Sequence, residues 1–125
     1  MSASDASPAA NPFALSPTSD GAGLVVRFTD PFLNYATSER LSPELKELCR
    51  ARASQGVRTF VADLSAVAVM DSCGLSMLVA MKKAAEAAGA RIRLVGLSPM
   101  IRRLFAVTKV ERVFDIFDDE RAALS

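Results

Sequence analysis

The chemistry that this sequence offers lies in four consecutive residues: Asp71, Ser72, Cys73 and Gly74. A short apolar stretch, residues 67–70, comes directly before them, and a helical pattern begins within two residues after it. We therefore expect the Ser72 hydroxyl at or beside the N-cap of a helix, where unpaired N–H groups and the helix dipole favour an anion. A phosphate on Ser72 would add about two negative charges to an exposed corner, enough to disfavour a docked partner.

The helix after Ser72 is predicted to have two different faces. At a period of about 3.6 residues, one side carries only apolar residues and is interpreted as the core side. Its members are Met77, Leu78, Met81, Ala84, Ala85 and Ala88. Leu75 and Val79 project onto the other side, together with Ser72 and Ser76. We predict that this second face is a partly solvated strip for protein docking; scattered surface apolar residues without a function are the alternative.

The composition excludes several kinds of site. The sequence contains no histidine, which removes Ser-His-Asp and Cys-His nucleophiles and imidazole metal ligands. Its two cysteines, Cys49 and Cys73, are too far apart for a Cys-x-x-Cys motif. We therefore expect a protein that is not an enzyme and that holds no cofactor and no metal. The formal net charge of +1 gives no reason to expect nucleic acid or an anionic membrane as a partner.

Targeting signals are not evident in the sequence. The N-terminal region lacks the basic and apolar blocks of a secretory signal, and the longest apolar segment is interrupted by Lys82 and Lys83. Together with the small number of cysteines, this indicates a reduced, cytoplasmic protein. Residues 1–22 are rich in Ala, Ser and Pro and are predicted to form a flexible leader, so that one folded domain spans residues 23–125.

From residue 23 onward, extended and helical patterns alternate. Strands are predicted at residues 24–29, 59–64, 67–70, 91–95 and 113–117. Helices are predicted on the Leu41, Leu45 and Leu48 stripe, from Ser72 to near Gly89, from Ser98 to about Val107, and after Asp118. Ser42-Pro43 and Ser98-Pro99 both look like an N-cap followed by a first-turn proline. Strands separated by helices indicate an α/β domain with Ser72 at the carboxyl end of its strand.

These residues carry a family resemblance. The segment "FVADLSAVAVMDSCGL", followed by "AGARIRLVGLSPMIRRLFAVTKVERVFDIF", resembles a STAS domain of the anti-sigma factor antagonist type, and the likeness covers the chain outside residues 1–22. It implies a single α/β domain with a mixed central sheet of about four to five strands and helices mainly on one face. It also implies partner switching: the unphosphorylated protein binds a serine-kinase anti-sigma factor, phosphorylation of Ser72 ends the interaction, and a PPM-type phosphatase restores it.

The resemblance also assigns a partner-binding set and shows three departures from the family pattern. The set comprises Asn34, Asp71, Ser72, Cys73, Gly74, Leu75, Ser76 and Val79. Cys73 stands where similar proteins often have Ser or Thr, and Ser76 stands where they have Gly or Ala. Asn34 replaces an aspartate of an acidic patch that meets the kinase, which leaves the choice of kinase open. Pro43 would fall inside the first helix of the family, at a cost of about 3 kcal/mol unless that helix starts late.

Other interpretations of the same residues remain open. Cys73 is either a half-buried small side chain or a reactive thiol at a helix start. A STAS-like subunit of a transport or lipid-handling complex is the second functional hypothesis, together with a module that binds a nucleotide or another small ligand at the same corner. Hydrolysis by Ser72 would need a base that the motif does not supply. The oligomeric state stays open.

Overall fold

A computed structural model describes residues 13–124 of the chain. The predicted leader at residues 1–12 lies outside the described residues. The elements in chain order are β1 (Phe13–Pro17), β2 (Gly23–Phe28), β3 (Phe32–Leu33), α1 (Tyr35–Ser54), β4 (Thr59–Asp63), β5 (Val69–Met70), α2 (Ser72–Ala87), β6 (Arg91–Val95), α3 (Pro99–Val107), a 3-10 turn (Val110–Arg112), β7 (Asp115–Phe117) and α4 (Glu120–Leu124).

The central sheet has five strands in the order β1-β2-β4-β6-β7. Strand β1 runs antiparallel to β2, and the other neighbouring strands are parallel. The parallel strands are short apolar runs joined by helices, which is the pattern of a sheet covered by helices. The prediction of a single α/β domain with a mixed sheet of four to five strands is confirmed.

A second, two-stranded sheet forms between β3 and β5. These strands are parallel, with Phe32 beside Val69 and Leu33 beside Met70. Strand β3 leads into α1 and β5 leads into α2. Pairing of the two strands therefore brings the N-termini of α1 and α2 together at one corner of the domain.

The main core lies between the central sheet and the three long helices. It contains Phe28, Phe60 and Leu94 of the sheet, Leu45 of α1 and Phe105 of α3, all of them buried. The opposite face of the sheet carries a smaller cluster under α4, so the helices pack mainly on one face. None of the helices within residues 13–124 is long and apolar enough to cross a membrane.

The predicted leader is wrong for residues 13–17. This segment forms β1, which pairs with β2 along its whole length. The Phe13 side chain is buried and packs edge-on against Phe28, with the ring centroids 5.3 Å apart. Burial of an aromatic side chain and the backbone hydrogen bonds of an edge strand outweigh the local composition. The folded domain therefore begins before residue 23.

The predicted helix start at Ser42-Pro43 is also wrong. Helix α1 begins at Tyr35, and Pro43 lies inside it. Asn34 is the N-cap, and its side chain accepts a hydrogen bond from the Thr37 N–H while the Thr37 hydroxyl accepts one from the Asn34 N–H. This reciprocal cap and the burial of one helix face offset the roughly 3 kcal/mol that an interior proline costs.

The remaining helix and strand predictions differ from the structure only at their ends. Ser98 caps α3 as predicted, since its side chain accepts a hydrogen bond from the Ile101 N–H. The last strand begins at Asp115 instead of Val113, because the 3-10 turn precedes it and leaves Val113 exposed.

Candidate functional site

Asp71 organises the corner between β5 and α2. Its Oδ1 atom accepts hydrogen bonds from the backbone N–H groups of Cys73 at 2.9 Å and Gly74 at 3.0 Å, so Asp71 is the N-cap of α2. A carboxylate in this position satisfies two of the N–H groups that a helix start leaves without partners, and it interacts favourably with the helix dipole. Asp71 therefore braces the corner between β5 and α2.

The same carboxylate also connects the two long helices. Its Oδ2 atom accepts a hydrogen bond of 3.2 Å from the N–H of Tyr35, the first residue of α1. The Asp71 N–H in turn donates to the Leu33 carbonyl, at 3.1 Å. One side chain therefore serves the N-termini of α1 and α2, a contact between residues far apart in sequence that the local pattern does not indicate.

Gly74 is required by the close approach of β3 to α2. A Cβ atom at this position would lie 2.3 Å from the Leu33 carbonyl oxygen and 2.9 Å from the Leu33 Cβ. Real Cβ atoms do not come so near to backbone atoms, so any larger residue forces the strand and the helix apart. Gly74 therefore permits tight packing of the two backbones at the corner.

Ser72 is the first residue of α2 and is exposed. Within residues 13–124 its hydroxyl has no hydrogen-bond partner. The sequence led us to expect that unpaired N–H groups at this helix start would favour a phosphate. Two of these groups, the N–H groups of Cys73 and Gly74, are not unpaired, because they already bond to Asp71. A phosphate on Ser72 would therefore extend outward beside a carboxylate and concentrate negative charge at the corner.

The predicted docking strip on α2 is wrong at its first apolar member. Leu75 is only 6% exposed and belongs to the main core. Val79 is half-buried and packs against the same core. The main core includes Leu33 of β3 and Met70 of β5 as well as residues of the central sheet. The buried residues of α2 span a wider arc of the helix than the simple projection allows.

A different apolar surface lies next to Ser72, and we call it the corner patch. It consists of Phe32, Tyr35 and Val69, whose exposed fractions are 50%, 64% and 43%. Phe32 and Val69 are neighbours across the β3–β5 pair, and Tyr35 is tied to the corner through Asp71. Sequence reasoning missed Phe32 and Val69 because strands of two residues carry no recognisable period. It missed Tyr35 because the helix start was predicted at Ser42-Pro43, and the helix begins at Tyr35.

Asn34 lies at the same corner and caps α1. Its side-chain oxygen accepts a hydrogen bond from the Thr37 N–H. Asn34 stands where the family resemblance places a partner-binding aspartate, and here it has a structural role. Cys73 is half-buried, as the simpler interpretation of this residue proposed, and Ser76 is exposed. The structure thus brings together Asn34, Asp71, Ser72, Cys73 and Gly74 at the corner.

A groove of about 470 Å³ runs between α1 and α2 beside this corner, and we call it the α1/α2 groove. Its walls include Tyr35, Ser38, Glu39 and Ser42 from α1, and Cys73 and Ser76 from α2. Within the described part of the chain, no group of three or more Cys, Asp and Glu side chains could hold a metal ion.

Three comparisons place the chain among known proteins. A family model described as "STAS domain" matches residues 14–123. An anti-sigma-B factor antagonist from Staphylococcus aureus (strain NCTC 8325 / PS 47) is 31% identical over 74 residues, which cover 59% of this chain and 68% of that protein.

The fold is shared with solved structures of low sequence identity. The anti-sigma factor antagonist SpoIIAA in its unphosphorylated form superposes with a TM-score of 0.66 at 21% identity, covering 88% of this chain and 91% of that one. The Bacillus SpoIIAA in the phosphorylated form gives 0.61 at 20% identity, with 88% and 95% covered. The murine anion transporter Slc26a9 gives 0.71 at 20% identity, with 82% of this chain and 17% of the transporter covered. At these identities the likeness concerns the fold alone.

Proposed function

The chain belongs to the STAS-domain anti-sigma factor antagonist family, and on that premise we propose that it is a partner-switching antagonist controlled at Ser72. In its unphosphorylated form it binds a serine-kinase anti-sigma factor. Phosphorylation of Ser72 by that kinase ends the interaction, and a PPM-type serine phosphatase removes the phosphate. The protein itself acts by binding, without catalysis.

One observation carries the proposal: Ser72 is exposed on a rigid corner while its neighbours are fixed. Asp71 holds the first turn of α2 through two hydrogen bonds, and Gly74 packs against Leu33. The Ser72 side chain is accessible and makes no hydrogen bond within the described residues. A kinase can therefore reach this hydroxyl without unfolding the helix.

The corner patch supplies an apolar surface for the kinase. Phe32, Tyr35 and Val69 flank Ser72, and aromatic side chains are frequent anchors in protein interfaces. This patch replaces Leu75 as the apolar part of the docking surface, because Leu75 is buried. Asn34, Asp71, Cys73 and Ser76 form the polar surroundings of the patch.

The switch follows from the charges at the corner. A phosphate on Ser72 adds about two negative charges next to the Asp71 carboxylate. Two of the N–H groups that could neutralise it are already bonded to Asp71. A partner that buries the corner patch would have to desolvate this concentrated charge, which is unfavourable unless it offers matching cations.

The proposal is tested by incubating the chain with ATP and serine-kinase anti-sigma factors from the same genome, followed by peptide mapping. We expect one modified residue, Ser72, and no modification of Ser72→Ala. Ser76→Ala is the matched control, since Ser76 is also exposed on α2, and it should still be modified at Ser72. Modification at Ser76, or at any residue other than Ser72, contradicts the proposal.

A further inference from the structure

The charges of this chain are distributed unevenly along the sequence. Residues 72–113 carry eight Lys and Arg side chains and two Glu side chains, whereas the rest of the chain carries more acidic than basic residues. The formal net charge of +1 is therefore the sum of a basic part and an acidic part. A local excess of one sign attracts an oppositely charged surface even when the whole chain is nearly neutral.

Helix α3 presents an exposed strip on the side that faces away from the core. The buried residues of this helix are Ile101 and Phe105. Met100, Arg103 and Val107 follow one another at intervals of three and four residues, which places them together on the solvent side of the helix. Met100 is 62% exposed and Val107 is 75% exposed, so two large apolar side chains of this strip are in contact with solvent.

The turn after α3 adds further exposed residues just beyond the end of this strip. In the 3-10 turn, Val110 packs against the main core. Lys109, Arg112 and Val113 are exposed around it. We call the combined set the α3 surface, and it consists of Met100, Arg103, Val107, Lys109, Arg112 and Val113.

The cations of the α3 surface are not neutralised by the rest of the domain. Within residues 13–124, the side chains of Arg103, Lys109 and Arg112 form no ion pair. Glu111 is the single acidic residue of the segment 99–113. Exposed cations interspersed with exposed apolar side chains are typical of surfaces that bind anionic membranes, where the cations meet lipid headgroups and the apolar side chains enter the interface.

We propose that the α3 surface binds the anionic headgroups of a lipid bilayer, with the side chains of Met100, Val107 and Val113 inserted between them. A protein partner is less well matched, because protein interfaces are enriched in aromatic anchors and depleted in lysine, whereas the apolar members here are aliphatic and Lys109 lies beside them. Single-stranded nucleic acid would also call for aromatic side chains on which bases stack. The binding is peripheral and reversible, and it does not depend on the proposed switch at Ser72.

The first test is cosedimentation of the full chain with vesicles of equal parts phosphatidylglycerol and phosphatidylcholine at low salt. We expect the chain to bind these vesicles, to bind pure phosphatidylcholine vesicles much more weakly, and to be released when the salt concentration is raised. Equal binding to both kinds of vesicle, or binding to neither, overturns the proposal. Binding of soluble polyglutamate as tight as binding of the anionic vesicles also overturns it, because the partner would then be an acidic polypeptide.

The second test asks whether the α3 surface is the part that binds. Arg103→Gln should weaken partitioning onto the anionic vesicles about fivefold, the effect of one cation near an anionic bilayer, and Val107→Ala should weaken it at least about threefold through lost insertion. Arg102→Gln is the matched control, since Arg102 is also exposed on α3 but projects onto another side of the helix, and it should change partitioning less than about twofold. Equal losses for the two arginine variants, or unchanged partitioning of Val107→Ala, overturn the proposal, and no kinase is needed for either measurement.

Discussion

Replacement of Asp71 tests how the corner is built. Its carboxylate accepts hydrogen bonds from Cys73 and Gly74 at the start of α2 and from Tyr35 at the start of α1. Loss of an N-cap costs about 1 kcal/mol, and loss of a further hydrogen bond costs about 1 kcal/mol more. We expect Asp71→Ala to lower the free energy of unfolding by about 2 kcal/mol.

Two variants separate the cap from the contact between the helices. Ser98→Ala removes the cap of α3, where the side chain accepts a single hydrogen bond, and should cost about 1 kcal/mol. Asp71→Asn keeps an oxygen for the cap but turns an N–H donor toward the N–H of Tyr35. Its cost should also be about 1 kcal/mol, from the contact between the helices.

The assay is urea denaturation followed by far-UV circular dichroism. The slope of the unfolding free energy against urea concentration should be the same for all variants, so that a shift of the unfolding midpoint reports a change in stability. If Asp71→Ala costs no more than Ser98→Ala, or if Asp71→Asn behaves like the wild type, then Asp71 does not connect α1 to α2 and the reasoning is refuted.

Three further predictions concern residues around the corner. Leu75→Ala should lower the free energy of unfolding by about 2 to 5 kcal/mol in the same assay, because Leu75 is buried. A change below about 1 kcal/mol would show that Leu75 is not a core residue. Gly74→Ala should cost about 1 to 3 kcal/mol because its Cβ would overlap the Leu33 carbonyl, and unchanged stability would contradict that contact. Phe32→Ala should weaken kinase binding at least about fivefold in isothermal titration calorimetry. Val107→Ala, equally apolar and 75% exposed at the end of α3, is its control, and similar losses for both variants would argue against the corner patch.

Much of the fold could be predicted from the sequence because its signals are local. The apolar runs at 59–63 and 91–95 are strands, and the Ser98 cap and the Ser72 helix start are where the patterns place them. Strand β1 could not be recognised in this way, since its formation depends on pairing with β2 and on the packing of Phe13 against Phe28. Such contacts between distant residues cannot be read from the local composition.

The candidate site was predictable in its centre and not in its surroundings. The Asp71–Gly74 corner follows from a strand signal next to a helix signal, together with the family resemblance. The corner patch depends on the register of β3 and β5, which brings Phe32 beside Val69. The burial of Leu75 depends on the tertiary packing around α2, which a projection of the isolated helix does not contain.

The most direct test of the account is the affinity of one serine-kinase anti-sigma factor for the chain with and without phosphate on Ser72. Both forms can be prepared from the same protein by kinase treatment, and binding can be measured by calorimetry with a nucleotide that is not hydrolysed. We predict that the phosphorylated form binds at least about a hundredfold more weakly, as expected for an unpaired charge in an interface. Equal affinity of the two forms would contradict the account.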